Sequence, residues 1–565
     1  MTTVRSDIAP ETTAIPGLGQ LNVEDLAGQT VVMRIDAAVP ANAHEALRDV
    51  KLKTALASLD LLLSSKARVA LLCHTDAGLR NIEAQRDTCQ RLAFLLGKPI
   101  QVLDECRGPE VTETVARLRH GEVRMLGNLS LEPEEEANSP RLARYLSDLG
   151  DLYCNEAFSL AHEVRASTLG AVKMAQRPVA GLDFERTLNL LRNTLDHPQR
   201  PFLTVIGGEL SIANLLLLES ISCRADADMI LVGGEVSLAF LKADGRATGA
   251  AIVTDEAAEI AARIVSRLRD ANHLFLPRDF VPAELRELEE AGLNRGNFDS
   301  NHSTQVLGDI GDQTRRIWSE MLGPARTILW HGPLGLCEFP ALAEGTLSFA
   351  QQLEARTSPS LHRTIVCGET LTGLLCSSER PPTRIQHLSP AGRAILNYAA
   401  GKSLSAIDPL ARAGAREQGK STVVLALAGT DDDGRLASFA GSRFSEHSEI
   451  HCVYVEPGLD EDAYPDVYSA LTKAERLAER LRADSVFDRA DAALASCGIK
   501  AATRSLIHSR PSDGFIRCAQ KLAADVIVIS RGTSHNPLSS LQEVVDQAPC
   551  EVLVLPAAKE VVWTP

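Results

Sequence analysis

The chain has 565 residues, 45% of them apolar, and a formal charge of −16 at pH 7. That length exceeds what one core supports and predicts about three domains of roughly 150 residues each; the acidity opposes nucleic acid or an anionic membrane as a non-specific partner. Twelve cysteines occur with no Cys-x-x-Cys pair, so a disulfide framework and a zinc knuckle are both excluded as expectations, and Cys73, Cys337 and Cys367 read as buried small hydrophobes. No run of 18 apolar residues appears and residues 1–22 lack a basic-then-apolar leader, which gives a cytoplasmic expectation with no membrane partner.

From the N-terminus, short apolar runs alternate with longer amphipathic stretches. The runs are Thr30 to Ile35, Arg68 to Cys73, Val123 to Leu126, Phe202 to Ile206, Met229 to Val232, Thr327 to Leu329 and Thr364 to Val366. Strands this short and this apolar, separated by helical patterns such as Val50 to Leu63, predict parallel sheets covered on both faces, an α/β architecture. Asp183 to Asp196 reads as a long connecting helix, and Pro198 and Pro201 mark the boundary behind it. A polar segment around Ala411 to Lys420 leads to a third unit. There, strands at Thr422 to Ala428 and Ile450 to Val455 precede a long helix ending before Gly498, and Pro511 and Ser512 open a helix to Ala523. The resulting divisions are a flexible extension 1–16, lobes 17–197 and 198–390, a return segment and linker 391–419, and a last domain 420–565.

Several motifs carry chemistry. Arg200-Pro-Phe-Leu-Thr-Val-Ile-Gly207-Gly208-Glu209-Leu210-Ser-Ile-Ala-Asn214 has the framework of a phosphate-binding strand and turn without its cations. Earlier comes Val-Val-Met-Arg34-Ile-Asp36-Ala-Ala38-Val-Pro40, and then Asn155-Glu156-Ala157-Phe158 followed by Ala161-His162-Glu163-Val-Arg165-Ala-Ser167. The most specific signal is Trp330-His331-Gly332-Pro333-Leu-Gly335-Leu-Cys-Glu338 with Glu344-Gly345-Thr346 behind it. In this order, over about 400 residues, these motifs resemble the phosphoglycerate kinase family. The resemblance implies two Rossmann-like three-layer lobes, the first holding a phosphoglycerate through arginines and a histidine, the second holding MgADP or MgATP. It assigns substrate contacts to Asp36, His74, His162 and Arg165, a catalytic position to Lys51 in place of a family arginine, and nucleotide contacts to Gly207, Gly208, Gly234, Glu338, Gly368, Glu369 and Thr370. No tightly bound metal is implied.

The departures from the family pattern fall on charges. Leu210 and Asn214 stand where the family has lysines, Ala77, Ser130 and Glu163 where it has arginines, and Ala38 where it has an asparagine. Arg80 is a nearby stand-in for Ala77. His331 replaces an asparagine and reads as a surface-loop histidine able to donate to a phosphate. Glu369 replaces an aspartate, one methylene longer, and Ser389-Pro-Ala-Gly392-Arg-Ala stands in a phosphate loop that has lost two of three glycines.

Phosphoryl transfer rests on positioning and on cations aimed at the moving oxygens. Each lost contact of that kind costs roughly 2.7 to 4 kcal/mol, so the expectation is a degraded site retained as a binding, sensing or scaffolding module, with an altered phosphorylated small-molecule ligand held near Lys51, His74 and Arg165 as an intermediate reading. The alternative is a working kinase of 3-phosphoglycerate and ATP.

The closing pattern, Asp525-Val-Ile-Val-Ile-Ser-Arg-Gly532 and Ala548-Pro-Cys-Glu-Val-Leu-Val-Leu-Pro, is similar to the universal stress protein family. It implies a degenerate nucleotide site, of which Gly532 and Ser539 remain, and a homodimer formed through Val552 to Leu555.

Overall fold

The computed structural model describes residues 15–39, 45–75, 82–223, 227–268, 273–293, 298–300, 303–358, 361–417, 422–428, 432–444, 448–457, 473–497, 499, 503–509, 511–522, 524–530, 544–545 and 547–555. Three parallel sheets follow one another along the chain. The first contains β1 (Thr30–Arg34), β2 (Arg68–Leu72), β3 (Gln101–Val102), β4 (Val123–Met125), β5 (Leu152–Asn155) and β6 (Pro178–Ala180), in the order β3-β4-β2-β1-β5-β6. The second uses β7 (Phe202–Ile206), β8 (Met229–Val232), β9 (Leu274–Phe275), β12 (Thr327–His331), β13 (Arg363–Cys367) and β14 (His387–Ser389), in the order β14-β13-β12-β7-β8-β9. Between β9 and β12 in sequence, β10 (Phe280–Glu284) and β11 (Gln305–Ile310) form a separate antiparallel ribbon. The third sheet runs β17-β16-β15-β18-β19, built from β15 (Thr422–Leu427), β16 (Glu449–Pro457), β17 (Thr503–Ser509), β18 (Val526–Ser530) and β19 (Glu551–Leu555).

Alternate residues of one strand feed two cores, which is why the strands read as unbroken apolar runs. Val31 and Met33 pack with Leu52, Leu59 and Leu62 of the Glu45–Ser64 helix. Val32 faces the other way and joins Tyr153, Leu142, Phe158 and Phe184. The strands and helices expected from sequence are present, with ends moved by a few residues. The two- and three-residue strands β3, β6, β9 and β14 escaped sequence reading because so few positions carry no period. Residues 411–417, expected as a polar connection, belong to the Ile407–Glu417 helix, whose Leu410 and Ala413 are buried.

The lobes are joined twice on one side. The Leu182–Leu191 helix continues as a π-helical turn, Arg192–Asp196, into the second lobe. The chain then comes back after β14: the Ala406 N–H donates to the Ala161 carbonyl at 3.0 Å, and the Ser405 hydroxyl donates to the carbonyls of Ala161 and Glu163 at 3.1 and 2.9 Å. Ile395, Leu404 and Leu410 share one apolar cluster with Phe158 and Leu191. Across the cleft, the Glu45–Ser64 helix of the first lobe lies against the Glu369–Ser377 helix of the second.

Candidate active site

On the first-lobe side, Asp36 follows the C-terminal end of β1 and Lys51 projects from the Glu45–Ser64 helix. Their charged atoms are 3.0 Å apart, and both side chains are almost wholly buried. The Ser159 hydroxyl donates to the same Asp36 carboxylate oxygen, Oδ2, at 2.5 Å. Burial works to raise the Asp36 pKa, but the Lys51 ammonium and the Ser159 hydroxyl outweigh it and hold the carboxyl below its ordinary value. Lys51 shows the mirror case: burial opposes its charge, and Asp36 and Glu369 more than restore it. Ala38 contributes only backbone, its carbonyl accepting from Lys51 at 2.5 Å.

His74, at the end of β2, lies 3.1 Å from the buried carboxylate of Glu135. Glu135 is anchored in turn by the Ser167 N–H and hydroxyl at 2.9 and 2.5 Å. Burial, reinforced by Arg34, shifts His74 toward its neutral form. Arg165 approaches the His74 ring at 3.3 Å, while its Nε donates to Glu163 at 2.5 Å. So the glutamate standing in an arginine position pairs with the Arg165 guanidinium. His162 is largely buried, and Arg393 adds to burial in holding it toward neutrality.

On the second-lobe side, the turns after β7, β8 and β12 interlock. The N–H groups of Gly207, Gly208 and Gly234 donate to the carbonyls of His331, Pro333 and Leu334 at 2.7, 2.7 and 3.1 Å. A Cβ on Gly207 would lie 2.1 Å from the Pro333 oxygen, and Gly332 has φ +74° with equally little room. These glycines are required by the contact of one turn with the next. Leu210 packs against the apolar cluster that contains Val236 and Phe240, and the Asn214 amide donates to the carbonyl of Glu209 at 3.1 Å. Trp330 is buried, its indole N–H donating to the Gly332 carbonyl at 2.9 Å, and the Leu334 N–H donates to the Thr346 hydroxyl at 2.9 Å.

A cavity of about 140 Å³ opens between these turns and the start of the Glu369–Ser377 helix. Gly208, Glu338, Gly368, Glu369 and Thr370 line it, as do Asn214, His331 and two further carboxylates, Glu209 and Glu235; among the described residues no lysine or arginine does. The His331 ring is packed at the C-terminal end of β12, an interior strand, not displayed on a surface loop. A Cβ on Gly368 or Gly392 would come within 3.4 or 2.6 Å of it, so the imidazole covers the backbone at both turns. Burial, with Arg393 adding to it, pushes the His331 pKa down to about 4, leaving the ring neutral at pH 7.

The fold therefore brings Asp36, Lys51 and Glu369 together, and His74 with Arg165. Gly532, Ser539 and Arg80 lie outside the described residues. Sequence reading missed Glu135, the partner of His74, and the charge Arg393 brings beside His162 and His331. Glu135 sits in an acidic run with no distinguishing pattern, and Arg393 follows directly on the surviving glycine of a loop read only for its glycines.

A phosphoglycerate kinase family profile matches residues 21–402. The chain belongs to the phosphoglycerate kinase family. It is 32% identical to the phosphoglycerate kinase of Chloroherpeton thalassium over 391 residues, 68% of this chain and 97% of that one. The Chlorobium limicola enzyme is 33% identical over equal shares. Among solved structures, phosphoglycerate kinase from Coxiella burnetii aligns with a TM-score of 0.54 at 26% identity, covering 70% of this chain and 99% of its own. That of Pyrococcus horikoshii aligns with a TM-score of 0.61 at 22% identity, covering 71% and 100%. The C-terminal region matches a solved universal stress protein from Archaeoglobus fulgidus, in complex with dAMP, at 18% identity and a TM-score of 0.19 over 24% of this chain and 96% of that one. Among the described residues, no helix is long and apolar enough to cross a membrane.

Proposed function

We propose that this phosphoglycerate kinase family member is a binding or regulatory module rather than an efficient phosphotransferase. The carrying observation is the pairing of its remaining substrate-lobe basic groups. Lys51 and Arg165 each face a carboxylate, at 3.0 and 2.5 Å, and His74, 3.1 Å from Glu135, is held toward its neutral form. A cation already neutralised at contact distance has little field left for a migrating phosphoryl group.

The second lobe supports the same reading. The family's MgATP requires donors and cations for its phosphates, and the residues present do not fit that group: the glycine N–H groups at the turns are engaged by neighbouring carbonyls, four glutamates line the cavity, and Leu210 and Asn214 occupy the lysine positions. The last domain is proposed as a stress-protein-like partner acting in the cytoplasm as part of a homodimer. Among the described residues β19 is the edge strand of its sheet, the position from which strand pairing between subunits proceeds.

The decisive experiment is a coupled assay of ADP formation from MgATP and 3-phosphoglycerate, with calorimetry of each ligand on the full chain. Turnover far below the ordinary kinase range of about 1 to 100 per second is expected. A rate within that range would establish a working glycolytic enzyme and overturn the proposal. Tight 3-phosphoglycerate binding without turnover would place the ligand in the first lobe, near His74 and Arg165.

A further inference from the structure

Lys51 and Glu369 come from different lobes, yet the Lys51 ammonium lies 2.5 Å from the Glu369 carboxylate, with no room for a ligand group between them. The same ammonium is held by Asp36 at 3.0 Å and by the Ala38 carbonyl. One buried cation thus bridges a first-lobe carboxylate and a second-lobe carboxylate, leaving the trio one negative charge in excess. The contact is continued by the packing of the two helices that carry Lys51 and Glu369, with Lys53 close enough to act on the Cys376 thiol farther along.

We propose that this bridge is an interlobe latch, a direct ion pair that holds the cleft shut without help from a bound substrate. The latch has a fixed half and a movable half. Lys51 is pre-positioned inside the first lobe by Asp36 and Ala38, its side chain only 4% exposed, whereas Glu369 is 39% exposed and makes the reversible contact. Glutamate supplies the reach, one methylene more than aspartate would give at the start of that helix. It is also favourably placed there for a negative charge, in the first turn of a helix. On the other side of the cleft the lobes are fastened by the shared apolar cluster around Phe158 and Ile395, so the ion pair opposes separation about that fixed joint. An anionic ligand entering the cleft meets the excess negative charge of the trio and must displace Glu369 to reach Lys51, which makes the latch autoinhibitory.

The test is single-molecule energy transfer on the full, ligand-free chain. Dyes are attached through non-natural residues at exposed Phe94 and Leu361, one on each lobe, leaving the twelve cysteines untouched. The parent protein is expected to show mainly a short-distance population. Glu369→Gln, which leaves the Asp36–Lys51 pair intact, is expected to raise the open population at least about fivefold. High salt should move the parent the same way, because Glu369 is partly exposed to screening, and this second measurement does not depend on any variant folding. Indistinguishable distributions in the Gln variant and in high salt, or a parent that is open until 3-phosphoglycerate and MgATP are added, would overturn the latch. ADP formation is read separately, so loss of the latch and survival of kinase turnover are distinct outcomes.

Discussion

The two lobes differ in how charge is disposed around the cleft. In the first lobe the basic groups are still present at Lys51, His74 and Arg165, but Asp36, Glu135 and Glu163 each hold one. In the second lobe Leu210 and Asn214 stand where the family has lysines, and the glycine N–H groups of the turns bond to protein carbonyls. Neutralisation by a partner leaves the charge recoverable; replacement by leucine does not. The comparison also explains why the framework persists. Gly332, Trp330 and Thr346 hold the turns together whether or not a nucleotide arrives, so stability alone retains them.

The largest test of this contrast is Lys51→Met. Removing the ammonium leaves Asp36 buried without its counter-charge, and breaking a buried pair in this way costs about 3 to 5 kcal/mol. Chemical denaturation should show that loss in the first lobe, and a change under 1 kcal/mol would mean that the pair is solvated and the first lobe is not neutralised as described. Next in size is Gly332→Ala in the second lobe. With φ +74° and the Gly207 carbonyl 2.6 Å from the added Cβ, a loss of roughly 1 to 3 kcal/mol is expected. A neutral outcome by thermal melting would show that the turn contact is loose and the glycine serves something other than packing. The smallest effect on stability is expected from Glu163→Gln, since a partly exposed ion pair contributes about 0.2 to 1 kcal/mol. Its use is in binding: freeing Arg165 should strengthen 3-phosphoglycerate affinity several-fold by calorimetry, and an unchanged affinity would show that the Glu163 pairing does not limit anion binding at Arg165.

Much of this protein was legible in the chain itself. Runs such as Phe202 to Ile206 and Met229 to Val232 fixed strands to the residue, because burial on both faces leaves a near-continuous apolar signature. The order of the motifs placed both lobes, and the losses at Leu210, Asn214 and Glu163 were visible as missing or inverted charges. His331 read differently in sequence, as an exposed loop residue, because nothing local announces that Gly368 and Gly392 will close over its ring.

Sequence alone therefore determined the architecture and the charge deficit, since hydrophobic period and residue identity are local properties. Tertiary structure alone decided which charges are neutralised, and by what. Asp36 and Glu369 meet Lys51 from positions 15 residues before it and 318 residues after it, and Glu135 meets His74 across 61 residues. Coulomb interaction depends on separation and burial in space, and neither is recorded in the spacing of residues along the chain.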